Sequence, residues 1–229
     1  MGTIIWDAIH EVGDKTEWQE RQFSDCDVST APATAAISAE AAHYGANSVK
    51  LYGPNIDVNQ RAARFNRIVE FTEGYFSAWF MFPTTVPLPD HTVDSWLMIM
   101  QIFKGQSGES PSPEFVIYVK NDSGTARLVL RRLGGGLPWS QQTEYSPIVT
   151  PPAILANKWF KIQIYVRDGV TNGILNVWQN HILCWNQEGL DTRGAGTKAG
   201  MGVAGYGYGI SNITNLTLYA DKCAAITVP

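Results

Sequence analysis

Apolar and polar residues alternate along most of this chain with a period of two, the spacing of a half-buried β-strand. The clearest stretch is KWFKIQIYVRD (158–168). Phe160, Ile162, Ile164 and Val166 form one face of it, and Lys161, Gln163, Tyr165 and Arg167 the other. EGYFSAWFMFP (73–83) repeats the pattern, with Phe76, Ala78, Phe80 and Phe82 opposite Tyr75, Ser77, Trp79 and Met81. SVKLYG (48–53), EFVIYVKN (114–121), ARLVLRRL (126–133), GMGVAGYGYG (200–209) and ITNLTLYADK (213–222) continue it. Asn-Asp-Ser-Gly (121–124) predicts a hairpin turn, and Asn180-His181 predicts another within NGILNVWQNHILCW (172–185). Only the Ala-rich TAPATAAISAEAAHYG (30–45) hints at a helix.

Strands at this spacing, without interleaved helices, predict an all-β fold. The expected architecture is a two-sheet antiparallel β-sandwich or jelly roll, with residues 1–229 as a single domain. Phe160, Ile162, Ile164, Val166, Phe80 and Ala78 are its expected core. Strict alternation through SWLMIMQIFKG (95–105) puts Leu97, Ile99, Gln101 and Phe103 on one face, and Trp96, Met98, Met100, Ile102 and Lys104 on the other.

Composition narrows the function. With 17 basic against 21 acidic residues the net charge is −4, and no Lys/Arg run exists, so nucleic acid is not an expected partner. No apolar run reaches membrane-spanning length, so no membrane insertion is expected. The first residues, MGTIIWDAIHEVGDKTEW, lack the basic and apolar regions of a signal peptide. Cys26, Cys184 and Cys223 are widely spaced, which allows one disulfide plus a thiol or three buried thiols. His10, His43, His91 and His181 sit mostly in expected loops and turns, which favours solvated or turn roles. No two acids alternate on one strand, as a glycoside hydrolase would need.

The chain is rich in aromatics that the pattern leaves outside the core. Tyr165 stands among Lys161, Gln163 and Arg167; Tyr206 and Tyr208 share one side of a glycine-rich strand; Trp139 and Tyr145 lie in the long loop at 134–152. Open rings beside amides and cations suit a sugar, which offers C–H on its faces and hydroxyls on its edges.

The ordered pieces IIWDAIHE, QRAARFNRIVEF, YFSAWFMFP, WLMIMQIFKG, NKWFKIQIYVRDGVTNGILNVWQNH, GMGVAGYGYG and LTLYADKC resemble the concanavalin A-like jelly-roll polysaccharide lyases of heparin lyase I and alginate lyase type. The resemblance spans most of the chain and implies a glycan site on a concave sheet. The family's Gln-Ile-His motif reads Gln101-Ile102-Phe103, so its proton-transferring histidine is a phenylalanine. Its Arg-x-Glu-Leu motif is absent, although Arg61, Arg64 and Arg67 are available. Its Lys-Ala-Gly-x-Tyr motif begins as Lys198-Ala199-Gly200 but continues with Met201.

The reading these degenerate motifs imply is a lectin-like jelly roll that binds a polysaccharide or surface glycan with little or no catalysis. It would sit outside the cell or on a virion or other particle surface. Gln101, Phe103, Lys161, Gln163, Tyr165, Arg167 and Trp139 are the expected glycan-binding residues, gathered in one groove. An active lyase would instead rest on Tyr206 or Tyr208 with Arg64. A structural virion decoration or fibre protein, homo-oligomeric or seated on a particle, is the remaining alternative. Asp7 and Asp221, at the ends of the first and last strands, are the candidate ligands for a structural Ca²⁺.

Overall fold

The computed structural model describes residues 2–18, 29–69, 72–105, 112–133, 139–192 and 198–228. The strands are β1 (Ile4–Ala8), β2 (Thr34–Ser38), β3 (Ser48–Gly53), β4 (Arg61–Val69), β5 (Glu73–Met81), β6 (Trp96–Gly105) and β7 (Ser112–Asp122). They continue as β8 (Thr125–Arg132), β9 (Thr143–Tyr145), β10 (Phe160–Arg167), β11 (Gly173–Gln179), β12 (Ile182–Leu190), β13 (Lys198–Tyr208) and β14 (Leu216–Thr227). Among the described residues there is no α-helix, and hence none long and apolar enough to cross a membrane.

Two antiparallel sheets form a jelly-roll sandwich. The larger runs β12-β11-β10-β5-β14-β3-β2, with β1 also paired to β14; the smaller runs β4-β13-β6-β7-β8-β9. The expected core residues lie between them. Phe160, Ile162, Ile164, Val166, Phe80 and Ala78 are buried in one cluster with Phe65, Leu97, Phe115 and Val203 of the smaller sheet. Period-two burial is unbroken along β10 and β11, where each strand buries every second residue.

Both expected hairpin turns are present. Ser123 and Gly124 take positive φ between β7 and β8, as do Asn180 and His181 between β11 and β12. Positive φ at both central positions is the requirement of a type I′ turn, whose twist matches that of the flanking strands. The expected helix is not formed. Thr34–Ser38 instead pairs with β3 as an edge strand, with Ala33 and Ala35 packed into the core. Alanine's helix preference is a weak bias that a ladder partner and apolar burial override.

β6 departs from strict alternation, and this reshapes the site. Its register against β7 shifts between Met98 and Met100, and against β13 between Val203 and Tyr206. An extra residue in one strand of a pair is a β-bulge, and it flips the parity of everything beyond it. Leu97, Ile99, Met100 and Ile102 therefore all join the core, while Met98 turns outward. Gln101 leaves the Leu97–Ile99 side, to which uniform alternation assigns it, and stands beside Asn66 of β4 on the outer face.

Candidate glycan-binding site

The outer face of the smaller sheet carries its own apolar floor: Met98, Val116, Tyr118, Val129 and Ala204, with Trp96 and Tyr206 packed against them. Polar groups stand at its middle and on either flank. In the middle, Gln101, Gly202 and Asn66 are register partners across β6, β13 and β4. The Gln101 amide nitrogen donates to Asn66 Oδ1 at 2.7 Å. That bond needs Gly202: a Cβ there would lie 2.2 Å from Asn66 Oδ1 and 2.7 Å from Gln101 Nε2. Gln101 is 1% exposed, and its Oε1 has no hydrogen-bond partner among the described residues. A buried acceptor left unmade costs about 1–3 kcal/mol, so a hydroxyl donated to it would be stabilising. Asn66 is half-buried, and among the described residues its side chain meets Gln101 through Oδ1, with the amide nitrogen there to donate to a ligand.

On the β4 flank, Thr30, Gln60, Ala62, Arg64 and Tyr206 line a recess of about 270 Å³. The Arg64 guanidinium stands 5.4 Å from the Tyr206 ring centroid, and Trp96 meets the same ring edge-on at 4.8 Å. The Gln60 amide nitrogen donates to the Tyr206 hydroxyl. Burial pushes the Arg64 guanidinium down from its ordinary value, yet arginine remains a cation at any working pH. The recess thus holds one half-desolvated positive charge, one phenol and one amide.

The opposite flank holds His91, Tyr118, Arg131 and Glu144. The His91 ring meets Tyr118 edge-on at 5.0 Å, and its Nε2 lies 3.2 Å from Glu144 Oε2. Burial lowers the His91 pKa from 6.5 to about 4, against the pull of Glu144, and Arg131 and Lys120 add to the lowering. Burial raises the Tyr118 phenol well above its ordinary range. His91 is therefore a buried neutral ring and not the solvated loop residue the sequence suggests; His10 is buried as well. His181 does sit in a turn, at φ 69°.

The expected single groove is divided between two sheets. Gln101, Arg64, Tyr206 and Tyr208 belong to the smaller sheet, with Tyr208 paired to Trp96 and half-buried. Lys161, Gln163, Tyr165 and Arg167 lie on the outer face of the larger sheet, across the core from them. Alternation reports which side of its own strand a residue takes, but not which sheet the strand joins. The side chains of Phe103 and Trp139 lie outside the described residues; Phe103 pairs through its backbone with Gly200.

The two candidate calcium ligands do not share a site. Asp7 is exposed, while Asp221 is fully buried with its oxygens already engaged. Asp221 accepts from the backbone N–H groups of His43 (2.8 Å), Tyr44 (2.9 Å) and Lys222 (2.6 Å). Its Oδ1 also lies 3.1 Å from His10 Nδ1. The indole N–H of Trp18, which can only donate, reaches His10 Nε2 at 3.1 Å, so the ring proton sits on Nδ1 and points to Asp221. No group of three or more possible ligands gathers among the described residues. This donor set does not fit a calcium ion, which needs free oxygens. Cys184 and Cys223 are buried free thiols, and Cys26 lies outside the described residues.

No family model and no curated protein matches the chain by sequence. By structure it is similar to an endo-β-1,4-glucuronan lyase from the fungus Trichoderma reesei, with a TM-score of 0.69 at 12% identity over 99% of this chain and 96% of that one. The cellulose-induced protein Cip1 superposes with a TM-score of 0.57 at 17% identity, covering 96% of this chain and 95% of that one. An alginate lyase from a Chlorella virus gives 0.57 at 9% identity, over 85% and 89%. The fold is the concanavalin A-like jelly roll that these three structures share.

Placed on this fold, the degenerate motifs converge on one row. Counting from Lys198-Ala199-Gly200, the motif's tyrosine falls at Gly202, and the glutamate two residues after an arginine falls at Asn66, after Arg64. Gly202, Asn66 and Gln101 are the residues that touch at the centre of the face. Asn66 and Gly202 escape a reading that looks for the motif residues themselves. The signal was present, in the spacing of Arg64-x-Asn66 and Met201-Gly202.

Proposed function

We propose that this protein binds a uronate-bearing polysaccharide across the outer face of the smaller sheet and does not cleave it at the Gln101 row. The observation that carries this is the Asn66–Gly202–Gln101 contact. A β-eliminating lyase needs a base for the ring proton, a group to neutralise the carboxylate and an acid for the leaving oxygen. At this row an amide, a glycine and an amide meet, and none of them exchanges a proton near neutral pH. They are instead suited to fix hydroxyls, while the Arg64 cation suits a carboxylate and the Tyr206 and Trp96 rings offer apolar contact.

One observation favours a second reading. The Tyr206 hydroxyl is held by Gln60, with the Arg64 guanidinium over its ring. A phenol oxygen and a guanidinium side by side are the two groups a lyase needs as base and carboxylate neutraliser.

Calorimetry with glucuronan and alginate oligosaccharides, alongside ultraviolet detection of the unsaturated uronate product, separates the two. The binding reading expects Arg64→Ala to weaken binding at least tenfold, about 1.4 kcal/mol, with no product from either protein. Product from the wild type that vanishes in Tyr206→Phe establishes the lyase. Failure of every uronate polymer to bind removes both.

A further inference from the structure

The outer face of the larger sheet has a trough of about 340 Å³ lined by Tyr75, Ser77, Lys161, Gln163, Ile226 and Thr227. Its floor is low because Ser77 pairs with Ala224 on one side and with Gln163 on the other. Ring clusters stand at both ends. Tyr75 lies 5.1 Å from Tyr165 and 6.1 Å from Trp178. At the other end His43 stacks on Trp79 at 3.8 Å and meets Trp159 edge-on at 5.6 Å. Tyr75 and Trp79 are four residues apart on β5, so the clusters are about 13 Å apart, a span that a short oligosaccharide bridges.

Lys161 is the charged side chain in the trough's lining, and Lys222 stands near it, outside the lining. Lys161 Nζ is 6.0 Å from the Trp79 ring, and Lys222 Nζ is 4.5 Å from the Tyr44 ring. Burial and then Lys222 lower the Lys161 ammonium; burial lowers His43, against the pull of Asp221, and Lys222 and Lys161 add to the lowering. Neither lysine has an ion pair among the described residues, and none of the trough's lining residues is acidic. Asp221, the acid nearest in sequence, is buried and held by N–H donors. Glu73, at the far end of the face, accepts from the Tyr165 hydroxyl. Gathering cations beside one another costs energy in a chain of net charge −4, and an anion lying between them would offset that cost.

We infer that this trough is a second binding site for an acidic polysaccharide, one whose chain crosses β5 and β10 with sugar faces against the two ring clusters and carboxylates toward Lys161 and Lys222. The amide of Gln163, between the ends, is placed for hydroxyls. A neutral glycan would leave the lysines unmatched, and an apolar protein surface would bury them unpaired. With one site on each outer face, a single molecule can hold two chains or two stretches of one chain. The choice of polymer rests on the function proposed above; the position of the site does not.

Glucuronan oligosaccharides are titrated into the wild type, Lys161→Glu, Tyr75→Ala and Arg64→Ala, with melting curves confirming that each variant folds. The expected result is two sites per wild-type chain. Lys161→Glu and Tyr75→Ala each weaken one of them roughly tenfold or more, and Arg64→Ala affects only the other. Weakening should be greatest at low salt, where exposed charges are least screened. One wild-type site, lost in Arg64→Ala and untouched by Lys161→Glu, overturns the inference and leaves the proposed function standing. One site lost only in Lys161→Glu and Tyr75→Ala does the reverse. Equal binding of neutral xylan to this face, or a wild-type dimer that Lys161→Glu disperses, also overturns it.

Discussion

From Lys161 to Arg167 the outer face of β10 keeps strict alternation, whereas β6 changes parity at Ile99–Met100. The consequence is chemical. On the larger sheet the outer face is a regular ladder of rings and polar tips over small floor residues. On the smaller sheet the bulge turns Gln101 outward onto a face that already has an apolar layer of its own. Amides and charges there are held within and beside packed side chains, so their protonation states and orientations are set by burial. The first face suits reversible surface contact, the second a fixed constellation. Each can be disturbed without the other, which makes the contrast testable.

The largest expected effect falls on the larger sheet. Asp221 accepts from the backbone of His43 and Tyr44, and so fixes the segment whose His43 ring covers Trp79. Asp221→Ala leaves those donors, Lys222 N–H and His10 Nδ1 without their acceptor. Removing one partner from a buried hydrogen-bonded network of this kind costs roughly 3–5 kcal/mol. Urea denaturation should show that loss. Tryptophan emission should shift as Trp79 loses its cover, while the Arg64–Tyr206 recess keeps its affinity for uronate. A loss below about 1 kcal/mol would mean that Asp221 does not anchor this face.

How much of this was legible in the sequence follows the same line. Regular strands are readable: β5 and β10 with their core residues, the hairpin of β11 and β12, and both hairpin turns follow from period two and from Asn/Gly-type turn chemistry. β6 departs from the expected alternation past Ile99 because a bulge has no signature in a uniformly apolar run such as LMIM (97–100). β2 was misread because an edge strand of Thr and Ala carries little intrinsic preference, and β3 decides its form. Which strands share a sheet is a long-range fact that no local pattern encodes, and it scattered the expected groove over two faces. Buried histidines escaped for a related reason. His10 and His91 lie in irregular segments, and their burial comes from partners far along the chain, Asp221 and Glu144.

The next effect belongs to the smaller sheet and appears as pH dependence. His91 titrates at 6.5 when unfolded and at about 4 in the fold, among Glu144, Arg131, Lys120 and Tyr118. Between those values the unfolded chain binds a proton that the folded chain does not. Stability is therefore fully present above pH 6.5 and is lost as pH falls toward 4. At 1.36 kcal/mol per unit the loss is roughly 3 kcal/mol. Melting temperatures measured across that window should fall in the wild type and fall less in His91→Gln. A wild type whose profile is flat over the same range, or a variant with the same slope, would place this transition elsewhere.

The smallest effect on stability should carry the sharpest functional consequence. At Gly202 an added Cβ would fall 2.2 Å from Asn66 Oδ1 and 2.7 Å from Gln101 Nε2. Those two atoms are the far ends of side chains, and the third close atom is Gln101 Cγ at 2.9 Å, so Gly202→Ala is relieved by turning the whole Gln101 side chain away from Asn66 and leaving the backbone in place. The fold then loses about one hydrogen bond, roughly 1 kcal/mol. The site loses the geometry of its central pair, and the uronate affinity of the smaller sheet should fall at least tenfold. Lys161 and Tyr75, on the other sheet, should respond as in the wild type. Gly205→Ala is the matched control on the same strand, because its Cβ would point inward, 2.9 Å from Leu216 Cδ2. It should cost stability in the core and leave the amide pair alone. Calorimetry on the two variants decides the matter: if Gly202→Ala binds like the wild type, the Asn66–Gln101 pair does not position the glycan, and the recess at Arg64 and Tyr206 carries the binding by itself.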